Sequence, residues 1–331
     1  MSAPPPAAAH RDAVPAAPPT FHWLTWLASG AALWAAAVAV LFATGNTYLI
    51  PTVVLLGSFT VPAAFVVRAH ERYGRDIGTQ TIVTCFAVGG VIGVLGASVL
   101  EHYLLHPSVW MYCGVALIEE AVKAAVLVLI TRRLPLTGRR TGLVLGAAVG
   151  FGFAAFETAG YALDAAISVR GLDLRGLVET EALRGVLAPV GHGLWTGLLG
   201  AVLFEYRLGT RFTVNRPIVL TFLGVSALHA FWDSTTGIAV WLTALITTGT
   251  ALSGDQLQGY GYLDQAHATP VQTQVFNLLS GVGLVLAAVL GLLWLRRAYP
   301  AALAVPAGLR AELRHRLTPG RRGGPTPPED F

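Results

Sequence analysis

The chain has 331 residues, of which 54% are hydrophobic and only 12% are charged. A soluble domain carries about twice that share of charge, so the composition excludes a water-soluble globular protein. Most of the cationic residues are arginines between apolar runs or near the C-terminus, and no basic stripe with interleaved aromatic residues indicates nucleic-acid binding. We therefore predict an all-α, polytopic integral membrane helix bundle that contacts the lipid bilayer and binds no nucleic acid.

The predicted elements begin after a tail at 1–20, whose Ala/Pro-rich composition predicts disorder. A transmembrane domain is predicted over 21–298, and an Arg/Pro/Gly-rich cytoplasmic tail over 299–331. A helix needs about 20 apolar residues to cross a bilayer. Eight runs satisfy this length, at 23–43, 47–67, 79–100, 108–131, 141–163, 184–204, 217–249 and 275–295.

The seventh run is too long for one simple crossing. As a helix it would extend roughly 50 Å, against a hydrocarbon core of about 30 Å. The Ser-Thr-Thr-Gly stretch at 234–237 is the predicted break, which gives either a kinked helix or a crossing followed by a re-entrant or interfacial segment. The sequence thus predicts about eight transmembrane helices with one long broken span, and nine crossings are the alternative.

The arginines favour eight crossings. With eight, nearly all arginines lie on one side of the membrane, whereas nine would place the arginine-rich tail on the other side. Cytoplasmic loops are the ones enriched in Lys and Arg. We therefore predict a multi-pass protein of the cell membrane with both termini in the cytoplasm.

Ionisable residues inside the apolar runs are the most informative feature of the sequence. Each costs several kcal/mol in a bilayer, about 3 kcal/mol or more at the centre of a helix, and such residues usually mark function. Four consecutive runs contain them. They are, in chain order, Glu119, Glu120, Lys123, Glu157, His192, His229 and Asp233.

Helical spacing groups the charges of the fourth run on one face. Glu119 and Lys123 are at i, i+4, and Glu120 and Lys123 are at i, i+3, so the single lysine of the chain can reach either carboxylate. Counted from the run ends, the cluster lies between the midplane and the outer surface, with Lys123 deepest.

The fifth and seventh runs contain similar pairs. Glu157 and Tyr161 are at i, i+4, which places a phenol above the carboxylate on one face. His229 and Asp233 have the same spacing, in which a carboxylate can orient an imidazole. These spacings predict one site assembled from four helices, with His192 contributed by the sixth run.

The ordered motifs resemble a known family. They read Glu119-Glu120-Ala-Val-Lys123, then Phe156-Glu157-Thr-Ala-Gly-Tyr161, then His192, then His229-Ala-Phe-Trp-Asp233. This pattern over 110–235 resembles the PrsW family of intramembrane proteases, which is distantly related to the CAAX prenyl endopeptidases and their bacterial relatives. The family often has a third glutamate where this chain has Ile118. The resemblance implies an intramembrane endopeptidase that cuts a membrane-anchored protein.

Two mechanisms fit these residues, and in the first a metal is bound. His192, His229 and one carboxylate would hold Zn²⁺ and leave an open position for water. Glu119 or Glu120 would act as the general base, and Asp233 would orient His229. The family resemblance and the two histidines at similar depth favour this mechanism slightly.

The second mechanism uses no metal. A glutamate of the pair, its pKa set by burial and by Lys123, would activate water directly while the histidines donate hydrogen bonds to the oxyanion.

Two other functions also stay open. Buried carboxylates and histidines can form the proton relay of an ion-coupled transporter, and a non-catalytic relative could bind membrane helices as a scaffold.

Overall fold

The computed structural model describes residues 22–74, 76–168, 171–250, 252–253 and 268–299. The predicted N-terminal tail, nearly all of the predicted C-terminal tail and most of the stretch between the last two apolar runs lie outside the described residues. In the part that is described, nine α-helices follow one another, with a two-residue antiparallel ladder of β1 (Ile167–Ser168) and β2 (Gly171–Leu172) after the fifth. The helices are α1 Trp23–Thr44, α2 Ile50–Tyr73, α3 Thr79–Leu104, α4 Met111–Thr131, α5 Arg139–Ala166, α6 Leu174–Leu187, α7 His192–Glu205, α8 Arg216–Thr248 and α9 Pro270–Ala298.

The predicted polytopic helix bundle is confirmed. Among the described residues, seven helical segments are long and apolar enough to cross a membrane: α1, α2, α3, α5, α6 with α7, α8 and α9. Helix α4 is also 21 residues long, which corresponds to roughly 30 Å. Its buried charged residues make it less apolar, and it packs against α3 and α8 inside the bundle. Each of the eight predicted runs therefore corresponds to one of these segments or to α4.

The prediction that the seventh run divides at 234–237 into a crossing and a separate segment is wrong. Helix α8 runs without interruption through 234–237, where Thr235 Oγ1 donates a hydrogen bond to the carbonyl oxygen of Trp232 and so satisfies its hydroxyl within the helix. The break lies instead in the sixth run, where α6 ends at Leu187 and a 3₁₀ turn covers Ala188–Val190. Pro189 in this turn has no N–H to continue an α-helix. As a result, His192 is the first residue of α7 and does not lie inside a continuous span.

Helices α5 and α7 pack with their main chains in contact. Gly142, Gly146 and Gly150 recur every four residues on α5, and a Cβ at any of them would overlap a carbonyl group of α7. At Gly150 the overlapping carbonyl is that of His192. Small residues at helix interfaces allow this close approach in membranes. The contact places His192 directly beside the helix that contains Glu157.

Helix α6 is held against α1 and α2 by a buried carboxylate. Glu181 is 2% exposed, and its Oε2 accepts a hydrogen bond of 2.8 Å from Trp34 Nε1 on α1. Gly57 of α2 faces the same carboxylate so closely that a side chain there would overlap it. The indole is therefore a principal polar contact between α1 and α6.

We expect Trp34→Phe to lower the free energy of unfolding by about 1–3 kcal/mol, because the buried Glu181 carboxylate loses its indole donor. Thermal unfolding of the purified protein in detergent measures this. Trp26→Phe is the matched control, because Trp26 lies on the same helix and is 44% exposed. Equal melting temperatures for the two variants would contradict the expected role of the Trp34–Glu181 hydrogen bond.

Candidate active site

Lys123 connects α4 to α7. Its ammonium donates to Glu119 Oε2 at 3.0 Å and to Glu120 Oε1 at 2.8 Å, so the predicted reach to both carboxylates is confirmed. A third contact of 2.8 Å joins Nζ to His192 Nδ1. The lysine is completely buried. Three partners in hydrogen-bond range compensate the burial of its charge.

His192 lies between two charged groups. With a charged Lys123, Nδ1 of His192 is the acceptor, and the proton of the neutral ring is then on Nε2. Nε2 lies 3.0 Å from Glu157 Oε2 on α5, so this tautomer donates to the carboxylate. The three side chains form a continuous hydrogen-bonded chain across α4, α7 and α5.

His229 on α8 is surrounded by carboxylates. Its Nε2 lies 3.2 Å from Asp233 Oδ2, as the i, i+4 spacing predicts, and 3.7 Å from Glu119 Oε2. Its Nδ1 lies 3.2 Å from Glu120 Oε1, although the alignment is poor for a hydrogen bond. Both nitrogens of the imidazole thus face acidic groups of the cluster.

Aromatic rings hold the two imidazoles in place. Trp195, which is completely buried, stacks on His229 with ring centroids 4.8 Å apart and meets His192 edge-on at 5.3 Å. Phe153 lies under the ammonium of Lys123, 4.1 Å from its ring centroid. These rings restrict rotation of the histidines and surround the charges with low-dielectric material.

A cavity of about 860 Å³ opens beside this cluster, between α3, α4, α5, α6 and α8. Glu119, Glu157, Tyr161 and Asp233 are part of its wall. A smaller space of about 80 Å³ reaches His192. Glu120, Lys123 and His229 are at most 1% exposed and form a layer behind the cavity wall. Water in the cavity can therefore reach some members of the cluster, while the others support them from behind.

A metal ion fits the donor set. One ligand atom from each of Glu119, His192 and His229 lies within 4.8 Å of the other two. Glu119 Oε2 is 3.9 Å from His192 Nδ1 and 3.7 Å from His229 Nε2. Ligands at about 2.0–2.1 Å around a tetrahedral Zn²⁺ are roughly 3.4 Å apart, so small side-chain shifts would suffice.

The charge of the cluster also suits a divalent cation. Four carboxylates face two cationic side chains, Lys123 and Arg184, and neutral histidines leave a formal excess of two negative charges. Lys123 uses the same Glu119 oxygen and His192 nitrogen as the metal would. A bound ion would therefore replace the lysine at His192 Nδ1, which has a single lone pair.

Comparison with protein families decides the identity of the chain. The model of the PrsW family intramembrane metalloproteases matches residues 78–253. The chain belongs to this family. The PrsW match extends from the start of α3 to beyond the end of α8, and so includes every residue of the cluster. No curated protein and no solved structure matched the chain.

PrsW membership makes the chain an intramembrane protease, a peptide hydrolase that is embedded in a membrane and acts on proteins. It confirms the resemblance that the motifs indicated. The family is one of metalloproteases, and the Glu119, His192 and His229 group could hold the metal.

The structure brings together all of the charged residues that the sequence singled out. Tyr161 lies at the edge of the cluster, where it lines the cavity and packs under the guanidinium of Arg184. Sequence reasoning missed two residues of α7 that contact the cluster, Trp195 and Thr196. The hydroxyl of Thr196 donates to Glu120 Oε2 at 3.3 Å. Their positions three and four residues after His192, on the same helical face, were the available signal. The sequence did not single out Arg184, because no local spacing connects it to Glu157.

Proposed function

We propose that this protein hydrolyses a peptide bond of a membrane-anchored protein, with water activated at the Glu119, His192 and His229 group. The observation that carries the proposal is the convergence of these three donors, from three different helices, at the wall of a large cavity. Placing a buried carboxylate, a buried histidine and a largely buried second histidine so close together is costly in a bilayer, and such costly groups usually mark function.

Zn²⁺ is the proposed metal. Two imidazoles and one carboxylate form the ligand set of several catalytic zinc sites, which keep one position open for water. The bound ion would supply Lewis acidity that lowers the pKa of that water and polarises the scissile carbonyl. Among the four carboxylates, Glu119 is the proposed ligand because it is the one within 4 Å of a nitrogen of each histidine.

Asp233 is the proposed general base. Its Oδ2 lies 3.2 Å from His229 Nε2, the nitrogen that faces Glu119, and its side chain is the most exposed of the four carboxylates at 24%. Asp233 would take a proton from the attacking water and return it to the leaving amine. This role differs from the sequence-based hypothesis, in which Glu119 or Glu120 was the base and Asp233 oriented His229.

The remaining residues support the site. Glu120, fully buried behind the cavity wall, is proposed to hold His229 Nδ1 and Lys123. Glu157 is proposed to orient His192 through Nε2. Tyr161 is 51% exposed, so its hydroxyl could donate a hydrogen bond to the developing oxyanion.

The substrate is proposed to be a membrane-anchored protein cut in the outer half of the bilayer. The predicted depths of the charged residues support the outer half, and the distribution of arginines supports a cell-membrane location with cytoplasmic termini. A cavity that carries charged side chains also provides the water that hydrolysis within a bilayer needs.

We expect the purified full-length protein to contain about one Zn²⁺ per chain and to cleave single-span substrates in detergent or liposomes. A strong chelator should abolish cleavage, and added Zn²⁺ should restore it, because the open ligand position is where water would be activated. Metal analysis and gel-based cleavage assays measure both. Full cleavage by metal-free protein would instead support the mechanism in which a glutamate activates water directly.

A further inference from the structure

Arg184 on α6 is held by three neighbouring residues of α5. Its Nη2 donates to Glu157 Oε2, its Nε donates to Thr158 Oγ1 at 3.0 Å, and its guanidinium lies 4.3 Å from the ring centroid of Tyr161. Hydrogen bonds in the guanidinium plane and an aromatic ring against its face fix both the position and the orientation of the group. Lysine cannot reproduce this arrangement, because an ammonium has no planar fork.

The contact to Glu157 links Arg184 to the cluster. The same oxygen, Oε2 of Glu157, also lies 3.0 Å from His192 Nε2. Arg184 and His192 therefore converge on one carboxylate oxygen from two different helices. His192 then has its other nitrogen, Nδ1, on the side of Glu119.

We propose that Arg184 is a positioning residue for the hydrolytic site. It fixes the Glu157 carboxylate, and Glu157 in turn fixes the His192 ring with Nδ1 directed at the metal-binding group. The inference rests on the proposed function, because it assigns His192 Nδ1 to the metal. A carboxylate that holds the second nitrogen of a metal-binding histidine is a common device for setting ring orientation.

The attachment of α6 supports this role. Glu181, one helical turn before Arg184, is anchored by Trp34 of α1 and lies against Gly57 of α2. The helix is thus held by the first two helices at Glu181, and one turn further along Arg184 reaches α5. This attachment restrains the helix backbone from which the guanidinium extends, as a positioning residue requires.

The test compares Arg184→Met with Arg184→Lys and with the control Arg175→Met. Arg175 lies on the same helix and forms an exposed i, i+4 pair with Glu179, remote from the cavity. Zn²⁺ affinity of the full-length protein is measured by competition with a chromophoric chelator. We expect Arg184→Met to weaken binding by up to about 10–100-fold, the usual effect of losing the outer partner of a metal ligand, which here is Glu157. Arg184→Lys should recover only part of this loss, and Arg175→Met should bind as the wild type does.

A double variant tests whether the effect passes through Glu157. If Arg184 acts by holding Glu157, the variant Arg184→Met with Glu157→Gln should bind Zn²⁺ about as weakly as Glu157→Gln alone. Losses that multiply would contradict the proposal. Unchanged Zn²⁺ affinity and turnover number in Arg184→Met, with only a higher KM, would show a substrate contact and would also overturn it.

A measurement on metal-free protein tests the positioning role of Arg184 independently of the proposed function. In ¹⁵N-histidine-labelled metal-free protein, the ring signals of His192, assigned with His192→Gln, report which nitrogen has the proton. We expect an Nε2–H form in all three proteins, because Lys123 still donates to Nδ1. The Nε2 signal of folded Arg184→Met should be shifted and broadened relative to the wild type and to Arg184→Lys, because the Glu157 oxygen that accepts from Nε2 is no longer held. Identical His192 signals in all three would overturn the inference. A wild type that binds no metal would overturn the metal-dependent proposed function, whatever the His192 signals show.

Discussion

We expect His229→Gln and Glu119→Gln each to lower the cleavage rate by on the order of 1,000-fold or more and to lower the bound metal well below one per chain. Each variant removes one of the three proposed ligands, and metal activation supplies several kcal/mol of transition-state stabilisation, with a tenfold rate change for about each 1.4 kcal/mol. Cleavage rate and metal content are measured on the same preparations.

The variant Asp233→Asn distinguishes a general base from a metal ligand. Loss of a general base costs about 100- to 10,000-fold in rate, but the metal should remain bound because the three ligands are intact.

His102→Gln is the matched control for the histidine variants, because His102 lies on the exposed surface of α3. Unimpaired cleavage by the Glu119→Gln, Glu120→Gln and Glu157→Gln variants would contradict the assignment of this cluster as the active site.

The second large effect is expected for Lys123→Met. The substitution leaves two adjacent buried carboxylates, Glu119 and Glu120, without the cation that both contact. Removing one partner of a buried ion pair costs about 3–5 kcal/mol of stability. Thermal unfolding of the metal-free protein in detergent gives the measurement, because a bound cation would replace part of the lost charge.

The surface pair of α6 provides the comparison. Arg175 and Glu179 have the same i, i+4 spacing as Lys123 and Glu119, in reversed order, but both side chains are exposed. Arg175→Met should change the melting temperature very little, because water solvates the remaining carboxylate. Similar melting temperatures for Arg175→Met and Lys123→Met would show that burial of the Lys123 cluster does not contribute as proposed. Adding Glu120→Gln to Lys123→Met should recover part of the loss.

Local periodicity explains which contacts the sequence predicted. The pairs Glu119–Lys123 and His229–Asp233 each lie within one helix, where a separation of four residues brings side chains together whatever surrounds the helix. The segments of the bundle were equally predictable, because apolar length is what a bilayer requires. The error at 234–237 has a local cause as well. Ser, Thr and Gly are weak helix formers, but a hydroxyl can bond back to the helix carbonyls, as that of Thr235 does.

Contacts between helices could not be predicted in this way. Glu119 and Glu120 are adjacent in the sequence, yet one lines the cavity and the other lies behind it. Their different positions depend on how α4 is rotated against α8 and α7, which packing of the whole bundle sets. The break before His192 is a similar case, because a proline at 189 is compatible with a helix end but does not specify that α6 packs against α2 and bonds to Trp34 of α1.

The sequence by itself determined the membrane class, the helical segments, the family motifs and the set of charged residues that lie inside the spans. The membrane class and the segments follow from composition and apolar length. The grouping of charges within a helix follows from the fixed helical period, which relates residues about one turn apart. Only the tertiary structure decided that Lys123 reaches His192, that Glu119 faces both histidines, and that Arg184 shares an oxygen of Glu157 with His192. Each of these contacts joins residues on different helices. The distances between such residues depend on how closely the helices pack, as at the glycines between α5 and α7. The period of a single helix does not specify that packing.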